Sequence, residues 1–205
     1  MTPLLYTAEL DLEEADVASF LQWYAFRHAP DVYEVGLLSC RCYRTFGGDM
    51  NLFDLYELPD WSLFETARYQ GMRGRDPYMG PLMEKRRNKA HTIYDQQLIH
   101  PAATPPSLDC DWIAVARFAA PPALDEAIVG ALTELKGPNR VRYATRGKDH
   151  PRNPTFRPRC MVVTEWSGRP DADLAGLLRR VGGSAITDLD SFTGHRVYPW
   201  PDVPA

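Results

Sequence analysis

The sequence predicts an α+β fold of two tandem βαββαβ units whose antiparallel sheets pack face to face. The same order of strands and helices occurs twice along the 205 residues, and residues 102–109 form a linker between the copies. Strand positions in both copies are apolar on both faces of the sheet: Leu37, Leu38, Val162 and Val163. A single unit would leave an apolar sheet face exposed, so the two units should pair through that face.

The first unit is predicted to span residues 1–101. Alternating apolar residues predict its first strand, and a Gly-Gly-Asp turn at 47–49 joins the second and third strands into a hairpin. Asp60 is expected to cap a short helix. The predicted strands are 4–10, 35–46, 52–58 and 91–99, and the predicted helices begin at about residue 12, at residue 60 and at about residue 81.

The first helix is predicted to carry a functional pair at its C-terminal end. Asp11 and Glu14 have the spacing of an N-cap and its capping-box partner, which would start the helix at about residue 12. Pro30 disfavours helix at the residue before it, so the helix should end near His28. One face of this helix carries five residues at helical spacing: Val17, Phe20, Leu21, Tyr24 and His28.

The second unit, residues 110–205, repeats this order. Its helices are predicted at 124–135 and after Asp171, which is expected to act as an N-cap. Its strands are predicted at 112–118, 140–145 and 160–165, with a final strand that begins at 185–190.

The composition limits the class of function. A net charge of −4 gives no reason to expect nucleic acid as a partner. No apolar run reaches transmembrane length and no signal peptide is evident, so a cytoplasmic protein without membrane contact is expected. The scattered histidines have no metal-binding spacing, and neither a metal nor another tightly bound cofactor is expected. Four reduced thiols without a C-x-x-C pair are expected: Cys40, Cys42, Cys110 and Cys160.

His28 and Tyr24 are the candidate catalytic residues. An imidazole titrates near neutral pH and suits general acid–base catalysis, while a phenol one helical turn before it would orient a substrate carbonyl. Structural alternatives remain open for both. The helix dipole favours a histidine at a helix C-terminus, and Tyr24 would serve equally as a core aromatic.

Four further residues are candidates for substrate binding. Arg41 lies between two cysteines in a strand and would hold an acidic group, or else form a cross-strand ion pair with Glu9 or Glu57. The irregular segment 69–89 would be either a lid or a surface loop. It contains the other three candidates: Tyr69, Tyr78 and Met79.

Basic residues are concentrated between positions 136 and 159, where Asp149 is the only acid. The run is predicted to be a solvated hairpin tip, with an anion-binding flap as the alternative, and it lacks the aromatic interleaving that stacking on nucleic-acid bases needs. Its members are Lys136, Arg140, Arg142, Arg146, Lys148, Arg152, Arg157 and Arg159.

Tandem βαββαβ units and a first helix that ends in Trp23-Tyr24 and His28-x-Pro30 resemble the dimeric α/β barrel superfamily of ferredoxin-like units. Within it the chain is most similar to EthD-like proteins. The resemblance covers nearly the whole chain in element order, and its residue motif is short. It implies a ligand site between the helices and the sheet of one unit. Relatives include cofactor-free monooxygenases, polyketide cyclases, lactone isomerases, decarboxylases and haem-using enzymes, so no single reaction is implied.

The two units differ where the candidate site is expected. Lys136-Gly-Pro138 stands where the first unit has His28-Ala-Pro30, and the second helix has no counterpart of Tyr24. The first unit is therefore expected to bear the site and the second to be its internal partner in a pseudo-dimer. A further homodimer of the whole chain stays open.

These observations favour a small-molecule enzyme that acts by acid–base chemistry on an aromatic or polyketide-like substrate. Cyclisation, dehydration, decarboxylation, isomerisation and cofactor-free oxygenation are all compatible with His28 and Tyr24 as a proton-transfer pair. The alternatives are a non-catalytic binding or accessory protein with the same pocket, and a structural pseudo-dimer with a filled core.

Overall fold

The computed structural model describes residues 2–72, 79–101, 110–151 and 156–199. Of the predicted site residues, Tyr78 lies outside the described residues, as does the side chain of Met79. The predicted linker 102–109 also lies outside them. Within the described ranges, no helix is long and apolar enough to cross a membrane.

All eight predicted strands are present. The first half of the chain, 4–100, has these elements: β1 (Leu4–Asp11), α1 (Glu14–Trp23), a π-helix (Tyr24–His28), α2 (Ala29–Glu34), β2 (Ser39–Phe46), β3 (Leu52–Leu58), a 3-10 helix (Trp61–Glu65), α3 (Ala67–Gly71), α4 (Met79–Glu84) and β4 (Arg87–His100).

The second half of the chain, 112–198, repeats the sequence of main elements. It has these elements: β5 (Trp112–Ala119), a 3-10 helix (Pro122–Leu124), α5 (Asp125–Thr133), β6 (Arg140–Arg146), β7 (Cys160–Trp166), α6 (Leu174–Gly182), a 3-10 helix (Gly183–Ala185) and β8 (Thr187–Tyr198).

The eight strands form one closed antiparallel barrel in the order β1-β3-β2-β8-β5-β7-β6-β4. Within each half the four strands are neighbours, and the halves join where β2 pairs with β8 and where β4 pairs with β6. The predicted pairing of apolar sheet faces therefore takes the form of a barrel interior. Its buried residues come from both halves: Leu5, Tyr43, Met50, Phe53, Leu55, Tyr94, Ile113, Val115, Ala144, Met161, Val163 and Phe192.

Helices cover the outer face of the barrel in two separate layers. Helices α1 and α2 pack on the first-half strands, and α5 and α6 pack on the second-half strands, each through its own buried cluster. Because successive strand residues face opposite sides, one set of side chains fills the barrel and the alternate set meets the helices. The space between α1 and the first-half strands is the location that the resemblance implies for a ligand.

The first helix differs from its prediction at both ends. It begins at Glu14 because Asp11 still belongs to β1, and the N-cap residue Glu13 makes no capping side-chain hydrogen bond. Pro30 does not end the helical path, which continues through the π-helix into α2. Proline is tolerated there because it occupies the first turn of α2, where its missing N–H costs little.

Other boundaries move for local reasons. β2 starts at Ser39 because Gly36, with φ of +106°, turns the chain beforehand. Asp173, not Asp171, caps α6 by accepting a hydrogen bond from the Gly176 amide at 2.7 Å. β4 and β8 are longer than predicted because each pairs with one strand of its own half and one of the other half.

Four arginines of the basic run form internal ion pairs: Arg140, Arg142, Arg157 and Arg159. Arg152 lies outside the described residues, so the solvated tip and the anion-binding flap both stay predictions. Arg142 is fully buried and donates to Oε1 of Glu57 and Oε1 of Glu165, both at 2.6 Å. Arg157 donates to Oε2 of Glu9 at 2.7 Å. Within the run, Arg140 also pairs with Glu165, Arg157 with Asp49, and Arg159 with Asp125. Outside the run, Arg117 pairs with Glu9 and Asp190.

We expect Arg142→Leu to destabilise the protein by about 3–5 kcal/mol, because the carboxylates of Glu57 and Glu165 would stay buried without their partner. Urea unfolding measures the loss. Lys85→Met is the control, since it removes an exposed pair with Asp16 and should cost less than about 1 kcal/mol. Equal losses in the two variants would show that the buried pairs contribute no more than exposed ones.

Candidate functional site

The π-helix brings Tyr24 and His28 together on the side of the helix that faces the sheet. Its wide turn is closed by a hydrogen bond from the Ala29 amide to the Tyr24 carbonyl. Single π-helical turns inside α-helices are frequent at functional sites. Tyr24 is fully buried, whereas His28 is half-buried with its ring centroid 4.9 Å from that of Trp23 and 5.0 Å from that of Tyr24.

Tyr56 on β3 joins these two residues to a buried carboxylate. Its hydroxyl lies 3.0 Å from Nε2 of His28 and accepts a hydrogen bond from the Tyr24 hydroxyl at 3.1 Å. It donates in turn to Oδ2 of Asp54 at 3.3 Å. When the Tyr56 hydroxyl donates to Asp54, its oxygen accepts from His28 in the tautomer with hydrogen on Nε2. The result is a hydrogen-bond chain from the half-buried imidazole to the carboxylate.

Asp54 is the ionisable group at the inner end of this chain. It lies on β3 and is 3% exposed, facing the helices beside Cys42 of the neighbouring strand. Burial raises the pKa of Asp54 to about 7, although the hydrogen bond from Tyr56 and the charge of Arg86 oppose the shift. A carboxyl group with this pKa can both accept and release a proton near neutral pH.

A second group of rings adjoins the first. The Tyr6 hydroxyl lies 2.7 Å from Nδ1 of His91, and the Tyr6 ring stacks on that of Tyr56 with centroids 5.2 Å apart. The Tyr69 hydroxyl lies 3.2 Å from Nε2 of His150. His150 follows β6, so the second half of the chain contributes a buried side chain to the first-half cluster.

The structure brings together Tyr24, His28 and Tyr69 among the residues predicted for the site. Arg41 instead contacts α2, where its guanidinium donates to the Tyr33 hydroxyl at 3.3 Å, and to the carbonyl of Cys40 at 3.0 Å. Its predicted role in substrate binding stays a prediction. Its alternative pairing with Glu9 or Glu57 also stays a prediction, and each of those carboxylates binds an arginine of the second half.

The two cysteines on β2 are buried core residues. Cys40 and Cys42 are fully buried on the face of the sheet that meets the helices. The Tyr24 hydroxyl lies 3.2 Å from Sγ of Cys40. Burial raises the pKa of both thiols, so neither is a ready nucleophile. Among the described residues, no three histidine, cysteine or acidic side chains are grouped so as to hold a metal ion.

The sequence analysis missed five residues of the cluster: Tyr6, Asp54, Tyr56, His91 and His150. Four of them could have been found by comparing equivalent strand positions in the two halves of the chain. Tyr6 pairs with Tyr56 across β1 and β3, and the corresponding pair across β5 and β7 is Ala114 with Thr164. In the same alignment of the halves, Val162 is at the position equivalent to Asp54, and Ser191 is at the position equivalent to His91. The first half has a tyrosine or an ionisable residue at each of these four positions and the second half has none, which indicates a site in the first half.

Comparison with solved structures finds the same fold in proteins of very different sequence. One, described as a candidate monooxygenase from Lactobacillus acidophilus NCFM, superposes with a TM-score of 0.58 at 11% identity, covering 96% of this chain and 94% of that chain. An anthrone oxidase-like protein gives 0.60 at 10% identity, with 96% and 92% covered. A haem-binding protein from Thermus thermophilus gives 0.54 at 11% identity, with 95% and 91% covered.

These likenesses identify the fold as a dimeric α/β barrel in which one chain supplies all eight strands. No protein-family model and no curated protein sequence matches the chain. At identities of 10–11%, the structural likeness defines the fold and leaves the activity to be argued from the site.

The buried carboxyl predicts a pH-dependent stability. Because folding raises the pKa of Asp54 from an ordinary 3.8 to about 7, the native state binds this proton more tightly than the unfolded chain does. The contribution of Asp54 is therefore most favourable below pH 4 and is lost as the pH rises through 7. We expect Asp54→Asn to exceed wild type in stability by about 2–4 kcal/mol at pH 8, and by much less at pH 5.

Urea unfolding at the two pH values measures this difference. Asp171→Asn is the matched control, because Asp171 is an exposed carboxylate remote from the cluster and its replacement should give no such pH-dependent gain. An Asp54→Asn gain of the same size at pH 5 and pH 8 would mean that proton binding by Asp54 does not differ between the folded and unfolded states.

Proposed function

We propose that this protein is an enzyme that removes and returns a proton on an aromatic or polyketide-like small molecule without a tightly bound cofactor. The observation that carries the proposal is the hydrogen-bond chain from His28 through Tyr56 to Asp54. One end of the chain is half-buried and the other is a carboxyl with a pKa of about 7. A group with a pKa near the working pH is the efficient choice for general acid–base catalysis.

The chain gives each residue a role. His28 would accept the substrate proton on Nδ1 while its Nε2 hydrogen moves to Tyr56, and Tyr56 would pass its own hydrogen to Asp54. The net change is a protonated Asp54 and an enolate or carbanion of the substrate, so charge and protons balance. Tyr24 points its hydroxyl at Tyr56 and Cys40, which suits positioning of the Tyr56 oxygen.

Several reactions begin with that enolate. Reprotonation at another carbon is an isomerisation, attack on an internal carbonyl is a cyclisation, and loss of hydroxide completes a dehydration. Addition of O2 to an anthrone-type enolate followed by loss of water gives a quinone, so that one substrate and one O2 yield one quinone and one water. Proteins of the same fold described as a candidate monooxygenase and as anthrone oxidase-like support testing this oxygenation first.

At the level of the fold, we propose that 1–101 and 110–205 are two fused ferredoxin-like units joined by 102–109, of the EthD-like type. Each half contributes four adjacent strands to the barrel, which supports this division. All residues of the cluster except His150 come from the first half, which supports a site-bearing unit and a degenerate partner. We further propose a cytoplasmic protein that binds a small molecule.

No step of the proposed chemistry uses a haem. His28, His91 and His150 each have one ring nitrogen at hydrogen-bonding distance from a tyrosine hydroxyl, at 3.0, 2.7 and 3.2 Å. Their ring faces also pack against other aromatic rings. The proposal gives these imidazoles hydrogen-bonding and packing roles.

A non-catalytic binding or accessory protein is the second candidate, and one observation favours it. Tyr24, Tyr56 and Asp54 are buried and hydrogen-bonded to one another, so contact with a ligand would fall to the edge residues His28 and Tyr6. Such a protein would bind the same ligand class but would not accelerate proton transfer.

Anthrone tests the proposal in two steps. Wild type should accelerate exchange of the anthrone methylene protons in anaerobic D2O, and in air it should form anthraquinone with matching O2 consumption. We expect Asp54→Asn and His28→Ala to lower the exchange rate by about 10²–10⁴-fold while the fold survives. Tyr56→Phe should have a similar effect because it interrupts the hydrogen-bond chain.

Tyr143→Phe is the matched control for Tyr56→Phe. Tyr143 is a fully buried tyrosine on the helix-facing side of the second half, and its loss should leave the rate within about twofold. Full activity in Asp54→Asn or His28→Ala would remove that residue from the mechanism. Anthrone that binds to wild type without faster exchange would favour the binding protein.

A further inference from the structure

The segment that follows β6 is held against the first half of the barrel. Arg146 pairs with Tyr94 in the strand ladder that closes the barrel. One residue later, a Cβ on Gly147 would collide with Oδ2 of Asp95, so a larger residue would require the Asp95 carboxylate to move. This close approach lets the chain deliver His150 to the first-half cluster.

His150 is packed among first-half side chains on several sides. It is 3% exposed, and its Nε2 lies 3.2 Å from the Tyr69 hydroxyl. Its ring centroid lies 5.2 Å from that of Tyr6, 5.4 Å from that of Phe64 and 5.8 Å from that of His91. A histidine so enclosed fixes the orientation of the Tyr6 ring from the second half of the chain.

Tyr6 is equipped to donate a hydrogen bond outward. Its hydroxyl oxygen lies 2.7 Å from Nδ1 of His91. When the hydrogen of the imidazole is on Nδ1, His91 donates a hydrogen bond to the Tyr6 oxygen. The hydroxyl hydrogen of Tyr6 can then be donated to another acceptor. Burial and the nearby Tyr69 and Asp54 raise the pKa of Tyr6, so the phenol stays protonated. Tyr6 is itself only partly buried.

We propose that His150 of the second half is a positioning residue of the first-half site, and that Tyr6 donates its hydroxyl hydrogen to the oxygen of a bound phenolate or enolate. The inference rests on the proposed function and deepens it, because it names the substrate class as a planar aromatic whose oxygen becomes anionic. The stacked rings of Tyr6 and Tyr56 place this donor beside the proton-transfer chain. The second half thereby completes the site of the first half.

The probe is 4-nitrophenol, whose phenol and phenolate forms have distinct absorption spectra. Wild type should bind it and shift the bound molecule toward phenolate, because a preorganised donor stabilises the anion. Tyr6→Phe should weaken phenolate binding about 10–100-fold, since a hydrogen bond to a charged group is lost. His150→Phe should weaken it about tenfold and reduce the phenolate fraction of the bound probe, a spectral change that a purely structural role would not cause.

Two further variants make the test decisive. His195→Phe, at a histidine that packs on Trp112 outside the cluster, should bind within about twofold of wild type. His150→Gln keeps a hydrogen-bonding group for Tyr69 but loses the ring contact with Tyr6, and we expect about threefold weaker binding. Wild-type affinity and spectrum in any folded His150 variant would overturn the proposal, as would the absence of phenolate binding to wild type.

The two experiments distinguish failure of this inference from failure of the proposed function. Phenolate binding that depends on Tyr6 and His150, together with unaccelerated exchange of anthrone protons, would uphold this inference and overturn the enzymatic proposal. Proton exchange that depends on Asp54 and His28, together with phenolate binding that does not depend on His150, would support the enzymatic proposal and overturn this inference.

Discussion

The double pairing of β4 is the constraint on which both the barrel and the site depend. Along one part of its length β4 pairs with β1, and along the other it pairs with β6 of the second half. This seam closes the barrel, leaves no free strand edge there, and sets the segment after β6 beside the first half. His91 on β4 and His150 after β6 meet for this reason. An isolated first unit would contain His28, Tyr56 and Asp54 but not the complete cluster.

Ion pairs inside the barrel hold the two halves in one register. Arg142 of the second half lies between Glu57 of the first half and Glu165 of its own, and Arg117 reaches Glu9 across the interior. Burying charges in this way adds little net stability compared with apolar packing, but any shift in register would leave a buried charge unpaired. These pairs are therefore best understood as specifying how the halves fit.

Local sequence patterns predicted the element types well because strand alternation, turns and helical spacing are short-range signals. The order of strands, the hairpin at 47–49 and the location of Tyr24 and His28 follow from them. Asp54 and Tyr56 were missed because a buried carboxylate and a core tyrosine have no local pattern that separates them from ordinary strand residues. His150 could not be predicted from local patterns, since its place in the cluster depends on barrel closure across 81 positions from Tyr69. The continuation of the helical path into α2 was missed because a proline such as Pro30 can mark either the end of a helix or the start of one.

The distribution of polar residues between the halves argues that the cluster is retained for chemistry and not for folding. At equivalent strand positions the second half has Val162, Thr164 and Ala114 where the first has Asp54, Tyr56 and Tyr6, and it forms its strands and helical layer equally well. The fold therefore does not require a buried carboxylate there. Asp54 also disfavours folding at neutral pH, because burial holds its pKa well above that of an exposed carboxyl. The second half has Val162 at the position of Asp54 and still folds. A group that destabilises the fold, at the end of a buried hydrogen-bond chain, is the pattern expected where function opposes stability.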